Sequence, residues 1–276
     1  MSRLQGKVAI VTGGAAGIGR HYSQALADAG ARVMIADIAD GKDVAGEIAA
    51  KSGANSVASA KFDVSDEVQV KKLVAETIER FGQIDVLVNN AAVPGTDQLV
   101  SDATTENWND VLATNLVAPM VLSREALRQA MIPANAGNIQ FLSSAAARSV
   151  QPLKAHYAAA KLGLTALGQT LALEVGAAGI RVNTLVIGSV AGELFDNYVA
   201  RRAKADGSKA ARAAKRSKSR SIPDGVKVTR IRAGVVPMLR KQCGTPRGTK
   251  TNEPWGAVAI SSPSWNSRSP SMTYHD

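Results

Sequence analysis

A tyrosine and a lysine one helical turn apart are the residues of this chain best suited to acid–base chemistry. Tyr157 and Lys161 stand four residues apart in the segment YAAAK, and on a helix this spacing puts both side chains on one face. A phenol is too weak an acid to ionise near neutral pH, but a nearby ammonium group stabilises the phenolate and lowers the pKa of the phenol. A tyrosine so placed can act as a general base at neutral pH, and for this spacing taken alone two surface residues of a helix are the favoured alternative.

A glycine-rich segment near the start of the chain has the pattern of a phosphate-binding turn. The apolar run VAIVT leads directly into TGGAAGIG at positions 12–19, and a helical pattern follows. A strand, a glycine-rich turn and a helix N-terminus form an anion site, because backbone N–H groups point at the phosphate. Gly13 allows the tight turn, Gly17 lets the backbone approach a pyrophosphate, and Gly19 permits close packing of helix on sheet. These glycines, together with Ile18, predict a dinucleotide-binding site.

An acidic residue at the end of the second apolar run bears on which dinucleotide is bound. Asp37 lies 18 residues after Gly19. A carboxylate at this place can accept hydrogen bonds from both hydroxyls of an adenosine ribose and repels a 2′-phosphate, which favours NAD over NADP. Arg20 and Arg32 are nearby cations that favour NADP instead, and a solvated strand-end aspartate is the alternative to a ribose contact. We predict NAD as the cofactor, with NADP less favoured.

The elements that position these residues alternate between strand and helix patterns over the first 200 residues. Short, mostly β-branched apolar runs are typical of strands buried on both faces, and we predict strands at Val8–Thr12, Arg32–Ala36, Val57–Phe62, Ile84–Val88, Ile139–Ser143 and Arg181–Val186. Between them we predict helices over Asp66–Phe81 with Ser65 as N-cap, over Thr105–Ala130 with a bend near Pro119, and over Ala155–Ala177. This alternation predicts an α/β fold: a single doubly wound Rossmann domain with a parallel sheet and helices on both faces.

Several polar residues are predicted to meet at one edge of this sheet. In a parallel sheet, ligands bind at the carboxyl ends of the strands. The glycine-rich turn follows the first strand, Asn89 and Asn90 follow the fourth, and Ser143 and Ser144 end the fifth. We therefore expect one crevice to hold the cofactor turn, a serine and the tyrosine–lysine pair, and the strand pattern leaves the choice of serine open.

Taken together, the motifs resemble those of a known family. In chain order they are TGGAAGIG, Asp37, Asp63-Val64, NNAA at 89–92, Asn115, Ser144, YAAAK and RVN at 181–183. This order resembles the short-chain dehydrogenase/reductase family. The resemblance implies an enzyme that transfers a hydride between NAD(H) and a small secondary alcohol or ketone, and a homo-oligomer, either a dimer or a tetramer.

The resemblance also implies roles for individual residues. It selects Ser144, 13 residues before Tyr157, as the serine that polarises the substrate oxygen. Tyr157 is then the acid/base and also a cofactor-binding residue, Lys161 also binds the nicotinamide ribose, and Asn115 holds a water in the proton relay. The further cofactor residues that it implies are Asp63 at the adenine amine, Asn89 supporting the central strand and cofactor, and Val64, Ala91 and the backbone near Val190.

Alternatives and departures accompany these assignments. The alternative for Asn115 is a bridge within the helix bend, and the alternative for Asp63 is a turn residue. His156 is expected to be a surface or pocket-wall residue. Ile187 stands where the family typically has proline, and Gly192 stands where a threonine usually anchors the cofactor carboxamide. These departures predict a looser hold on the cofactor, with the reaction class unchanged.

The last quarter of the chain differs from the rest in composition. Residues 1–200 carry 16 Lys and Arg against 19 Asp and Glu, a net charge of −3, whereas residues 201–276 carry 17 against 4, a net charge of +13. The family's further helices, seventh strand and glycine-rich end have no counterpart in this stretch. We therefore assign 1–200 to the Rossmann domain and 201–276 to an atypical basic segment, partly disordered or poorly packed, that resembles translation in a wrong reading frame.

Two alternatives follow from that segment. A basic nucleic-acid-binding tail is disfavoured, because aromatic residues do not interleave with the basic run. A cofactor-binding protein with little or no activity is the alternative function, since the altered segment falls where the family builds its substrate loop.

Composition excludes several other classes for the 276-residue chain. Its single cysteine, Cys243, excludes an internal disulfide, and the histidines at 21, 156 and 275 are too scattered for a metal cluster. No apolar run approaches the roughly 18 residues of a membrane helix, and the first residues lack the pattern of a secretory signal. We therefore predict a cytoplasmic protein with no metal and no membrane partner.

Overall fold

The computed structural model describes residues 3–53, 56–188 and 190, and these hold six parallel strands in one sheet. The strands are β1 (Val8–Thr12), β2 (Arg32–Asp37), β3 (Val57–Lys61), β4 (Val86–Asn89), β5 (Gly137–Ser144) and β6 (Ile180–Ile187). Their order is β3-β2-β1-β4-β5-β6, and every neighbouring pair is parallel. The predicted α/β class with a doubly wound parallel sheet is therefore confirmed.

Helices pack on both faces of this sheet. They are α1 (Gly17–Asp28), α2 (Lys42–Ser52), α3 (Glu67–Phe81), α4 (Thr105–Leu112), α5 (Ala118–Ala126), α6 (Ile132–Ala134) and α7 (Ala155–Val175), with 3-10 turns at Val100–Asp102, Ala145–Ala147 and Gly176–Ala178. Successive residues of a strand point to opposite faces, so Ile10 packs with α3, α5 and α7, and its neighbour Val11 packs with α1 and α2. Burial on both faces explains why the strands read as continuous apolar runs.

The start of α3 corrects one prediction. Ser65 was the expected N-cap, but Asp66 holds that place, and its carboxylate accepts hydrogen bonds from the backbone N atoms of Val68 and Gln69. Ser65 instead donates its hydroxyl to the carboxylate of Asp63 at 2.7 Å. Both side chains are good caps, and the turn that precedes the helix decides between them.

The predicted helix over 105–130 is interrupted by wide turns. π-helical turns at Ala113–Val117 and Leu127–Met131 join α4, α5 and α6. Pro119 lies in the first turn of α5, and it has no N–H to bond the carbonyl of Asn115 four residues earlier. The first wide turn directly precedes the proline, as is common where the regular helical ladder is broken.

The strand order places a switch point between β1 and β4. The chain moves outward from β1 through β2 to β3, then returns to the other side of β1 with β4. Loops after β1 and β4 therefore diverge and leave a crevice at the carboxyl edge, the general ligand site of such sheets. None of the helices in the described ranges combines the length and the apolar character needed to span a bilayer. The basic segment 201–276 and Gly192 lie outside the described residues.

Candidate active site

The glycine-rich turn after β1 occupies positions where a side chain would collide or be strained. Gly13 has a φ of +61°, and a Cβ atom there would lie 2.9 Å from Nδ2 of Asn90. A Cβ atom on Gly19 would collide with the carbonyl oxygen of Gly13, so α1 begins in direct contact with the turn. Gly17 has a φ of +49° and nothing within 4 Å of its Cβ position, while Ile18 packs toward the core. The open space at Gly17, beside a helix N-terminus, fits the phosphates of a dinucleotide.

Thr12 and Asn90, which the sequence places at this edge without an individual role, hold this turn to the loop after β4. Oγ of Thr12 accepts hydrogen bonds from the backbone N atoms of Asn90 and Ala91, both at 3.0 Å. The side-chain amide of Asn90 donates to the carbonyls of Thr12 at 2.8 Å and Gly13 at 3.1 Å. A polar threonine at the end of an otherwise apolar buried strand is the signal that could have identified Thr12.

Asp37 ends β2 beside the same turn. Oδ2 of Asp37 accepts a hydrogen bond from the backbone N of Ala15 at 3.0 Å, and Oδ1 accepts one from Ala39 at 3.1 Å. Its carboxylate therefore lies against the glycine-rich turn at the carboxyl edge of the sheet. This is the edge at which a dinucleotide's ribose is bound in such folds.

Asp63 and Val64 follow β3. Oδ1 of Asp63 accepts hydrogen bonds from the backbone N and the hydroxyl of Ser65, at 2.8 and 2.7 Å, while Val64 packs against the core. These contacts match the alternative in which Asp63 is a turn residue. Its contact with an adenine amine stays a prediction.

The two serines at the end of β5 face different partners. Ser143 is buried and donates its hydroxyl to the carbonyl of Lys161 at 2.6 Å, which ties β5 to α7. Ser144 lies near enough to Tyr157 to lower the pKa of the phenol, and it accepts a hydrogen bond from the backbone N of Ala146 at 3.2 Å. Ser144 is therefore the serine that lies beside the tyrosine.

Lys161 is buried beneath this pair of hydroxyls. It is 3% exposed, its Nζ donates to the carbonyl of Leu142 at 2.9 Å, and Nζ lies 5.7 Å from the centre of the Tyr157 ring. Burial lowers the pKa of Lys161 from 10.5 to about 8, because removal from water disfavours the charged form.

The pKa of Tyr157 differs from the sequence-based expectation. Burial raises the pKa of Tyr157 above its ordinary value of 10, and the hydrogen bond from Ser144 lowers it only in part. The expected lowering by Lys161 is therefore absent in the protein alone, because desolvation dominates and the ammonium group is itself bonded to Leu142. A further positive charge in the crevice is needed to favour the phenolate.

Asn115 and Asn89 are engaged by the protein on the other side of the crevice. The side chain of Asn115 is fully buried, and it both accepts from the backbone N of Val93 and donates to its carbonyl, each at 2.8 Å. Asn89 donates to the hydroxyl of Ser123 on α5 at 3.3 Å. The side chain of Asn115 therefore fixes the loop after β4, and its role in holding a water stays a prediction.

Comparison with known proteins identifies the family. A sequence model described as short chain dehydrogenase matches residues 7–203, well over half of the chain. The chain belongs to the short chain dehydrogenase family. It is 39% identical over 193 residues to short chain dehydrogenase/reductase astE of Aspergillus oryzae, covering 69% of this chain and 74% of that one. It is 36% identical to sorbitol dehydrogenase of Cereibacter sphaeroides, covering 72% and 76%.

A solved structure with the same fold accompanies these relatives. The NAD+-bound xylitol dehydrogenase superposes with a TM-score of 0.70 and 29% identity, over 74% of this chain and 79% of that one. As a short chain dehydrogenase, the protein is an oxidoreductase that acts on alcohols or ketones. Its crevice brings Ser144, Tyr157 and Lys161 together, and half-buried Val190 follows β6 at the same edge.

Proposed function

We propose that this short chain dehydrogenase interconverts a secondary alcohol and its ketone with NAD(H), and that Tyr157 moves the proton. The observation that carries the proposal is the placement of Tyr157 near Ser144 at the carboxyl edge of β5, close enough for the serine to lower the pKa of the phenol, with Lys161 buried one helical turn further along α7. A phenol and a hydroxyl so paired can both bond one substrate oxygen, and that arrangement suits general acid–base catalysis.

The chain's own groups account for the proton. In the oxidative direction, Ser144 holds the substrate hydroxyl and the phenolate of Tyr157 accepts its proton, while a hydride leaves the carbinol carbon and the carbon–oxygen bond becomes a carbonyl. When bound, NAD+ supplies the atom that accepts the hydride. Because Ser144 already accepts from Ala146, its own proton is free to be donated toward the phenol or the substrate oxygen.

Three side chains support NAD as the dinucleotide. The carboxylate of Asp37 lies against the glycine-rich turn, where it repels a 2′-phosphate. Arg20 is paired with the carboxylate of Glu47. Arg32 begins β2 at the opposite edge, where its guanidinium lies over the Phe81 ring at 5.5 Å. The two cations that sequence reasoning weighed in favour of NADP thus both have other partners.

Polyols are the first substrates to test. Two of the similar proteins are a sorbitol dehydrogenase and a xylitol dehydrogenase. Sorbitol and xylitol are small linear polyols that carry secondary hydroxyl groups. The proposed partners are accordingly a small alcohol or ketone and further copies of this chain. Location in the cytoplasm stays a prediction from the sequence.

Tyr157→Phe in the full chain is the experiment that tests the proposal. Wild-type protein is assayed with NAD+ and with NADP+ against sorbitol, xylitol, galactitol and simple secondary alcohols, and NADH binding is followed by fluorescence. We expect turnover with NAD+, and the Tyr157→Phe variant should lose at least about 100-fold in kcat/KM, because general acid–base catalysis contributes about that much or more. Its affinity for NADH should change less than about threefold, since the interaction lost acts on the transferred proton.

Tyr22→Phe is the matched control. Tyr22 packs in α1 against the core cluster on the other face of the sheet, so its substitution should leave turnover unchanged. NADH binding without turnover of any alcohol by the wild type would favour the alternative of a cofactor-binding protein with little activity. Turnover retained by Tyr157→Phe would show that another group moves the proton.

We also propose that the enzyme acts as a homo-oligomer. Four exposed apolar residues follow helical spacing along one stripe of α7, with exposed Gln169 and Thr170 between the last two: Ala159, Leu162, Ala166 and Leu173. Leu162 and Leu173 are 57% and 86% exposed. Exposed apolar side chains aligned on one helix face favour association, and a second copy of the chain presents the same stripe.

A further inference from the structure

The residues directly before the catalytic tyrosine are bonded to the loop that follows β4. His156 is 1% exposed, and its Nε2 lies 3.3 Å from the carbonyl oxygen of Pro94. Nζ of Lys154 donates to the same carbonyl at 3.3 Å and pairs with the carboxylate of Asp97. One carbonyl of the loop therefore takes hydrogen bonds from two side chains at the start of α7.

The loop itself is shaped to fit the imidazole ring. Gly95 has a φ of +63°, and a Cβ atom on it would lie 2.6 Å from Nε2 of His156 and 2.6 Å from Cγ2 of Val111. The ring of Trp108 meets the imidazole edge-on, with ring centres 6.3 Å apart. The backbone at Gly95 is thus enclosed between α4 and α7, with space for neither a side chain nor a shift toward the ring.

A strained residue just before α7 is also hydrogen-bonded to this loop. Leu153, just before α7, has a φ of +70°, a conformation that is an outlier for a bulky residue. Its carbonyl accepts a hydrogen bond from the backbone N of Gln98 at 3.2 Å. Strain of this kind persists only where surrounding contacts fix it, and it concentrates near functional sites.

We propose that His156 is a positioning residue that holds the 94–98 loop as a wall of the substrate crevice next to Tyr157. This inference rests on the proposed function, since it assigns a wall to that same site. The loop leaves β4 at the carboxyl edge, beside β5 and Ser144, so it borders the place where the substrate oxygen is held. His156 acts through the loop and touches neither the transferred proton nor the hydride. The cofactor turn is fixed separately, by Thr12 and Asn90.

Steady-state kinetics of His156→Ala and His156→Gln test the role. In His156→Ala we expect kcat/KM for the alcohol to fall by about 10- to 100-fold, mostly through KM, because a displaced positioning wall costs rates of this order. The Kd for NADH should stay within about twofold of wild type. His156→Gln keeps a side-chain N–H donor for the Pro94 carbonyl and should recover most of the loss.

Hydrogen–deuterium exchange gives a readout that does not depend on turnover. In the full chain, His156→Ala should speed exchange in a peptide spanning residues 93–101, while a peptide spanning the glycine-rich turn exchanges as in wild type. Lys154→Met removes the second donor to Pro94 and should speed exchange in the same peptide. It therefore replaces His156→Ala in the test if His156→Ala fails to fold.

The outcomes separate this inference from the proposed function. A wild-type enzyme that turns over no alcohol contradicts the proposed function, whatever the exchange experiment shows. Unchanged exchange at 93–101 in both His156→Ala and Lys154→Met overturns the positioning role, as does a loss of NADH affinity that matches the loss in KM. Faster exchange at 93–101 with unaltered cofactor binding supports it.

Discussion

At the level of single residues, burial and charge act on Tyr157 in opposite directions. The spacing of Tyr157 and Lys161 predicts that the two meet, and they do: Nζ lies 5.7 Å from the ring centre. The spacing does not reveal how far each is removed from water, and desolvation raises the pKa of the phenol and lowers that of the ammonium group. The phenolate is therefore favoured only with a second cation in the crevice, and oxidised nicotinamide carries such a charge.

Lys161→Met should stabilise the protein while abolishing turnover. Because the folded-state pKa of about 8 lies below the ordinary 10.5, the charged lysine disfavours the folded state at neutral pH, and this cost is relieved as pH rises from about 8 to about 10.5. We expect the free energy of unfolding at pH 7 to rise by about 1–3 kcal/mol, with the difference shrinking toward pH 10. Urea unfolding measures it.

Lys72→Met is the control for that substitution. Lys72 is exposed on α3, so its replacement should leave unfolding unchanged at both pH values. A Lys161→Met protein that is less stable than wild type at pH 7 would mean that the hydrogen bond to Leu142 outweighs the desolvation of the charge.

At the level of elements, the sequence pattern predicts which strands and helices form better than it predicts their caps and irregular turns. All six strands were predicted within two residues of their observed bounds, because burial on both faces leaves a strong apolar signal. The cap of α3 and the π turns around Asn115 were not predicted, because both depend on which backbone groups the folded chain leaves without a hydrogen-bond partner. Asn115 itself was expected near a bend at Pro119. Its hydrogen bonds to Val93 were not, because they form only when the loop after β4 is in place.

Asp66→Ala should destabilise α3 more than Ser65→Ala does. Asp66 accepts from two backbone N atoms at the start of the helix, and its hydrogen bonds to Gln69 and Val68 keep the pKa of the carboxyl below its ordinary value. We expect Asp66→Ala to lower Tm by about 2–4 °C at pH 7 and Ser65→Ala to lower it by less than half of that. Since a lowered carboxyl pKa stabilises the fold only above that pKa, the difference should fade as pH drops below about 4.

Thermal melts of Asp66→Ala and Ser65→Ala measure the two shifts in Tm. Equal shifts in Tm would mean that Ser65, through its bonds to Asp63, contributes as much as the cap itself.

At the level of the whole molecule, strand order accounts for where the chemistry lies. The glycine-rich turn, the loop after β4 and the end of β5 are far apart in sequence, and the order β1-β4-β5 makes them neighbours at one edge. Alternating strand and helix patterns predicted that edge. The contacts that join the loops, such as Asn90 with Thr12 and His156 with Pro94, could not be predicted from the pattern, because each depends on a loop conformation that spacing does not specify.

The exposed apolar stripe of α7 gives the last prediction, which concerns assembly. Burying Leu162 and Leu173 against a second copy removes apolar surface from water, and the gain scales with the area covered. Light scattering on the full-length wild type should therefore give a dimer or tetramer, and Leu162→Glu with Leu173→Glu should shift it toward monomer, because each interface would bury unpaired carboxylates. Val68→Glu is the matched control, since Val68 is 76% exposed on α3 and lies outside the stripe. An oligomer that survives the double substitution but dissociates with Val68→Glu would move the interface to the face of α3.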